Sequence, residues 1–125
     1  MEPLIIEPTA MTPEIHLELG KPFLIAGRSI PESAQDIFLP VISWVREYLE
    51  HDGKSPIFEF RLEYVNSGSS KYLLELLRII KKYIKEGKNI ALKWYFEEGD
   101  ESIMELGEHF RDSLHIPLEM IPVYE

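Results

Sequence analysis

The chain has 125 residues, 45% of them hydrophobic and 11% aromatic, with a formal charge of -9. A chain of this length buries roughly two-thirds of its unfolded surface around one core, so a single domain over residues 1–125 is expected. The acidic balance argues against nucleic-acid binding, because phosphates are repelled, and the absence of cysteine excludes disulfides, thiolate metal sites and cysteine nucleophiles.

The first residues, MEPLIIEPTAMTPEI, lack a basic start and a long apolar run, and no later stretch approaches the ~20 apolar residues of a membrane span. The chain is read as soluble and cytoplasmic, without membrane insertion. Pro3, Pro8 and Pro13 surround Leu4-Ile5-Ile6, so residues 1–13 form an extended N-terminal arm that docks on the domain or on a partner. Ile15, Leu17 and Leu19 alternate with His16 and Glu18, and Gly20-Lys21 turns the chain into Pro22 to Ile30, which predicts a β-hairpin.

Ser33, with Asp36 three residues on, signals a helix start. Ile37, Val41, Trp44, Val45 and Tyr48 recur at helical spacing, with Phe38, Ile42 and Leu49 widening the face; Pro40 fits only near the first turn, and His51-Asp52-Gly53 ends the helix. From Pro56 to Val65, Phe58, Phe60, Leu62 and Tyr64 face one way and Glu59, Arg61 and Glu63 the other. Leu73, Leu76, Leu77, Ile80 and Ile84 then form a helical stripe opposite Lys71, Glu75, Arg78, Lys81, Lys82 and Lys85, and Gly87 stops that helix.

A second alternating strand carries Ile90, Leu92, Trp94 and Phe96, and the acidic run EEGDE opens a third helix with Ile103, Leu106, Phe110 and Leu114. Ile116 to Val123 reads as an edge strand or extended tail. The order is β-β-α-β-α-β-α-β. It predicts an α/β fold of two layers, a mixed sheet of four to five strands with helices mainly on one face.

Between the best-alternating strand and the second helix lies YVNSGSSK, Tyr64 to Lys71. A strand that ends there and turns into a helix exposes N–H groups and hydroxyls at one point, which suits anion binding or phosphorylation. In the structural alternative, Ser67 or Ser69 caps the helix and Gly68 permits a tight turn. The stretch lacks the GxxxxGK[ST] pattern of a nucleotide phosphate loop. His16, His51, His109 and His115 never fall in HxxxH or HExxH spacing, Glu97 to Glu101 lacks EF-hand order, and there is no GxSxG elbow. No metal, cofactor or catalytic residue is expected.

With GRSIPES at Gly27 to Ser33, WVREYL at Trp44 to Leu49, FEFRLEYVNSGSSK at Phe58 to Lys71 and WYFEEGDESIMELGE at Trp94 to Glu108, the chain resembles the SiaC family of bacterial regulatory phosphoproteins, formerly a domain of unknown function. The resemblance covers nearly the whole chain, and only the serine-loop block is specific to a mechanism. It implies a STAS-like fold, as in anti-sigma-factor antagonists, and a partner switch rather than an enzyme. It further implies a histidine-kinase-like Ser/Thr kinase that phosphorylates the residue after the loop Asn, and a PP2C-type phosphatase that removes the phosphate. The unmodified form is expected to bind and activate an effector such as a GGDEF diguanylate cyclase, linking the switch to cyclic-di-GMP and biofilm regulation. Carried over by position, the acceptor falls on Ser67, with Ser69 and Ser70 as alternatives and Asn66, Gly68, Ser69, Ser70 and Lys71 as supporting residues. The chain departs from the usual motif, having Ser67 where Thr is common, Gly68 where Ser is common and Val65 where an aromatic is common. A plain structural adaptor, or a small enzyme using the acidic and histidine side chains, are the alternatives.

Overall fold

Period-two alternation gives each strand an apolar face, and three amphipathic helices cover it. The computed structural model describes residues 1–51 and 54–124. The described residues form one sheet in chain order, β1 (Leu4–Ile6), β2 (Glu14–Leu17), β3 (Phe23–Ser29), β4 (Ile57–Val65), β5 (Ala91–Glu97) and β6 (Leu118–Val123). The pairs β1–β2 and β2–β3 are antiparallel, and the other three are parallel. Each parallel step passes through a helix, α1 (Ala34–His51), α2 (Ser67–Lys85) or α3 (Glu101–Leu114). Because strand order always advances in one direction, right-handed crossovers lay all three helices on the same face, α2 between α1 and α3.

The core fills the space between these layers. Phe58, Phe60 and Leu62 of β4 and Leu92 and Trp94 of β5 meet Leu73, Leu76, Leu77 and Ile80 of α2, all buried. Phe23 lies edge-on to Trp44, Tyr48 and Phe58, with ring centroids 4.9–5.2 Å away. Among the described residues no helix covers the sheet's other face, which carries Glu59, Arg61, Lys93, Tyr95 and Glu119. The two-layer α/β class and the helices on one face therefore agree with the sequence expectation.

Four expectations are corrected. The sheet has six strands, because Leu4–Ile6 of the arm pairs with β2 while Trp44 Nε1 donates to the Glu2 carbonyl at 2.8 Å; three residues are too few for a periodic signal. Leu19 is 41% exposed, since β2 ends at Leu17 and the hairpin turn begins. Pro40 lies in the second turn of α1 on the solvent face, where the bond it cannot make is to the Asp36 carbonyl. Tyr64 leaves the apolar face. Gly27 pairs with Leu62 but Arg28 pairs with Tyr64, so Glu63 is an extra residue that shifts the parity of β4. The expected helix end at Asp52-Gly53 lies outside the described residues.

Candidate functional site

The bulge and the helix start together shape the end of β4. Asn66, in extended conformation, is the N-cap of α2, its Oδ1 accepting from the Ser69 N–H at 2.9 Å and its backbone carbonyl accepting from the Ser70 N–H at 2.9 Å. Neither Ser67 nor Ser69 caps the helix; Asn is as good a cap as Ser, and here it comes first. Gly68 is the second helical residue and has no positive φ, so the expected tight turn is not what it provides. A Cβ there would meet the Ala34 Cβ at 3.5 Å, an ordinary contact.

The three serines differ sharply in environment. Ser67 is exposed, and no side-chain hydrogen bond among the described residues engages its hydroxyl. Ser69 is fully buried and accepts a hydrogen bond from the Ser29 hydroxyl at 2.7 Å. Ser70 is half-buried. Lys71, four residues after Ser67 and also exposed, lies above it on the same helix face. A phosphate on Ser67 would meet the orphan N–H groups of the first turn, the positive end of the helix dipole and the Lys71 ammonium.

The loop after β3 braces this helix start. Asn66 Nδ2 donates to the Pro31 carbonyl at 3.1 Å, and the Asn66 N–H donates to the Ser29 carbonyl at 3.0 Å. The Ile30 N–H in turn donates to the Met11 carbonyl at 2.9 Å, tying in the N-terminal arm. GRSIPES and VNSGSS, far apart in sequence, are thus one hydrogen-bonded unit. Ser29 and Pro31 belonged to a recognisable block, yet no local signal assigned them this supporting role.

Beside the loop, the bulge sends Tyr64 outward, 57% exposed, with the Arg28 guanidinium 4.6 Å from its ring centroid. Arg28, Tyr64, Glu63, Glu97, Asp100 and Ser102 line a groove of about 530 Å3 at the carboxyl ends of the parallel strands. The acidic run opens α3 as expected, Asp100 Oδ1 accepting from the Ile103 N–H at 3.1 Å. Among the described residues no three His, Asp or Glu side chains gather in metal-binding geometry. No helix among them is long and apolar enough to cross a membrane.

Comparison with known proteins fits this arrangement. The family described as SiaC family regulatory phosphoprotein matches residues 6–123. An uncharacterised protein of Pseudomonas aeruginosa (strain UCBPP-PA14) is 32% identical over 120 residues, 94% of each chain. The crystal structure of apo-SiaC from Pseudomonas aeruginosa aligns with a TM-score of 0.89 at 27% identity, covering 97% of this chain and 99% of that one. The crystal structure of the diguanylate cyclase SiaD in complex with its activator SiaC, from the same organism, contains a chain that aligns with a TM-score of 0.90 at 27% identity, covering 96% and 99%.

Proposed function

The chain belongs to the SiaC family of regulatory phosphoproteins, and from that premise we propose that it is a non-catalytic, cytoplasmic partner switch acting as one domain over residues 1–125. Its unmodified form binds and activates a diguanylate cyclase, and phosphorylation of Ser67 releases that effector. The exposed Ser67 hydroxyl in the first turn of α2 carries this reading, while the Ser69 hydroxyl would have to abandon its buried bond with Ser29 to react. The complex of SiaD with its activator SiaC supports the choice of effector class.

A histidine-kinase-like Ser/Thr kinase supplies the phosphate. Ser67 Oγ attacks the γ-phosphorus of ATP, the Oγ–P bond forms as the bond to ADP breaks, and a base of the kinase takes the hydroxyl proton. A PP2C-type phosphatase reverses the change, with water attacking phosphorus and inorganic phosphate leaving. The added charge of about -2 lies where the effector must cover the surface, so desolvation and repulsion oppose binding.

Two measurements test the switch. Incubation with ATP and a cognate kinase of histidine-kinase-like fold, followed by phosphopeptide mapping, is expected to give one phosphate on Ser67 and none in Ser67→Ala. Cyclase activation is expected to persist with Ser67→Ala and to fall by about tenfold or more with Ser67→Asp, given the cost of a buried unpaired charge. Equal activation by unmodified, phosphorylated and Asp forms would leave a plain adaptor.

A further inference from the structure

Along α2 the exposed side chains form a single line. Ser67, Lys71, Glu75, Arg78, Lys82 and Lys85 are all exposed and follow one another at steps of three or four residues, which keeps them on one helix face. At roughly 1.5 Å per residue the line is about 27 Å long. Within the line Glu75 opposes its charge, and Arg78 Nη1 already pairs with it at 2.8 Å. Toward the C-terminal end, Arg78, Lys81, Lys82, Lys85 and Glu86 line a shallow depression of about 540 Å3. In a chain of net charge -9, this is a segregated basic ridge.

The neighbours of the ridge decide what it can hold. The solvent face of α1 carries Asp36, Glu47 and Glu50 against Arg46, and that of α3 carries Glu101, Glu105 and Asp112 against Arg111, which pairs with Asp112 at 2.9 Å. Packed helices lie about 8–10 Å apart, comparable with the Debye length near physiological salt, so these flanking carboxylates are partly screened from a ligand confined to α2 and act fully on one that spreads past it. A broad polyanion, whether duplex or lipid surface, would meet the acidic flanks as well as the ridge. A single acidic helix, about as wide as α2, meets the ridge alone.

We propose that the solvent face of α2, from Ser67 to Lys85, is a docking surface for an acidic helix of a partner protein, and that phosphate at Ser67 weakens docking by cancelling positive charge at one end. The second half rests on the switch read above; the first does not. Lys71, Arg78, Lys82 and Lys85 against Glu75 give the ridge a charge of +3, and a phosphate of about -2 beside Lys71 removes most of it.

The test uses the full chain, 15N-labelled, titrated with a synthetic amphipathic helical peptide that bears glutamates along one face. Expected are shifts confined to the exposed α2 residues and affinity at least about tenfold above that of the same peptide with glutamines, as charge complementarity requires. Arg78→Glu combined with Lys82→Glu is expected to abolish the difference while leaving the spectrum folded, both side chains being exposed. No shifts on α2, shifts centred on the open sheet face, or tighter binding to phosphatidylglycerol vesicles or a DNA duplex would overturn the assignment. Weaker peptide binding by the kinase-phosphorylated chain supports the second half. Unchanged binding upon phosphorylation leaves the docking surface standing and removes the electrostatic account of the switch.

Discussion

At the scale of single residues, the three serines of one short loop have three environments, and a partner forty residues away decides which is which. Ser69 is closed off because Ser29 donates to it inside the core. Ser69→Ala removes that acceptor and leaves the Ser29 hydroxyl buried without a partner, which is expected to cost about 1–3 kcal/mol by urea denaturation. The double change Ser29→Ala with Ser69→Ala is expected to cost less than the sum of the two, since the orphaned group is gone; strict additivity would argue against the pairing. Gly107 is a second case. A Cβ there would lie 2.5 Å from the Trp94 ring and 2.8 Å from Met120 Cε, and Trp94 is fully buried with Nε1 donating to the Ile103 carbonyl at 2.9 Å. Gly107→Ala is therefore expected to destabilise by about 1–3 kcal/mol in the same assay, although alanine is the better helix former.

At the scale of elements, Asn66 joins β4, α2 and the loop after β3 through one side chain. Its Oδ1 caps the helix and its Nδ2 holds the Pro31 carbonyl. Asn66→Ala is expected to lose about 1–2 kcal/mol, the usual worth of a cap, and Asn66→Asp less, because aspartate keeps the acceptor and loses only the donor. Equal losses in thermal or urea midpoints would mean that the tether, not the cap, dominates. The elements themselves were largely legible in the sequence: α2 and α3 run as their stripes predict, and β4 and β5 alternate as read. The exceptions are places where neighbours intervene. Three residues of the arm become a strand because β2 offers an edge, and one extra residue in β4 turns Tyr64 from the core to solvent.

At the scale of the whole molecule, the helix layer is held partly by polar contacts at its rim. Tyr83 of α2 has a buried ring, and its hydroxyl donates to Glu50 Oε1 of α1 at 3.3 Å. Burial, followed by the nearby Glu50 carboxylate, raises its pKa above the usual 10.0. A raised pKa for an acid that ionises to an anion means that the neutral form is favoured on folding. The contribution is complete below pH 10.0 and is lost as pH rises through the higher folded value. The stability difference between the chain and Tyr83→Phe is thus expected to be constant at neutral pH and to shift against the tyrosine form above the usual value. Denaturant midpoints measured along an alkaline series check this, and a constant difference throughout would contradict it.

The sequence by itself determined the α/β class, the order of its regular elements, the family, and the position of a serine-rich loop between a strand and a helix. These follow from patterns carried by contiguous residues, where a period of 2 or 3.6 is enough to define a buried face. Only the tertiary structure decided that the arm supplies a sixth strand, that Asn66 and not a serine is the cap, that Tyr64 faces solvent, and that Ser67 is open while Ser69 is closed. Each of those depends on a partner distant in the chain or on a one-residue change of register, and neither leaves a mark on the local pattern.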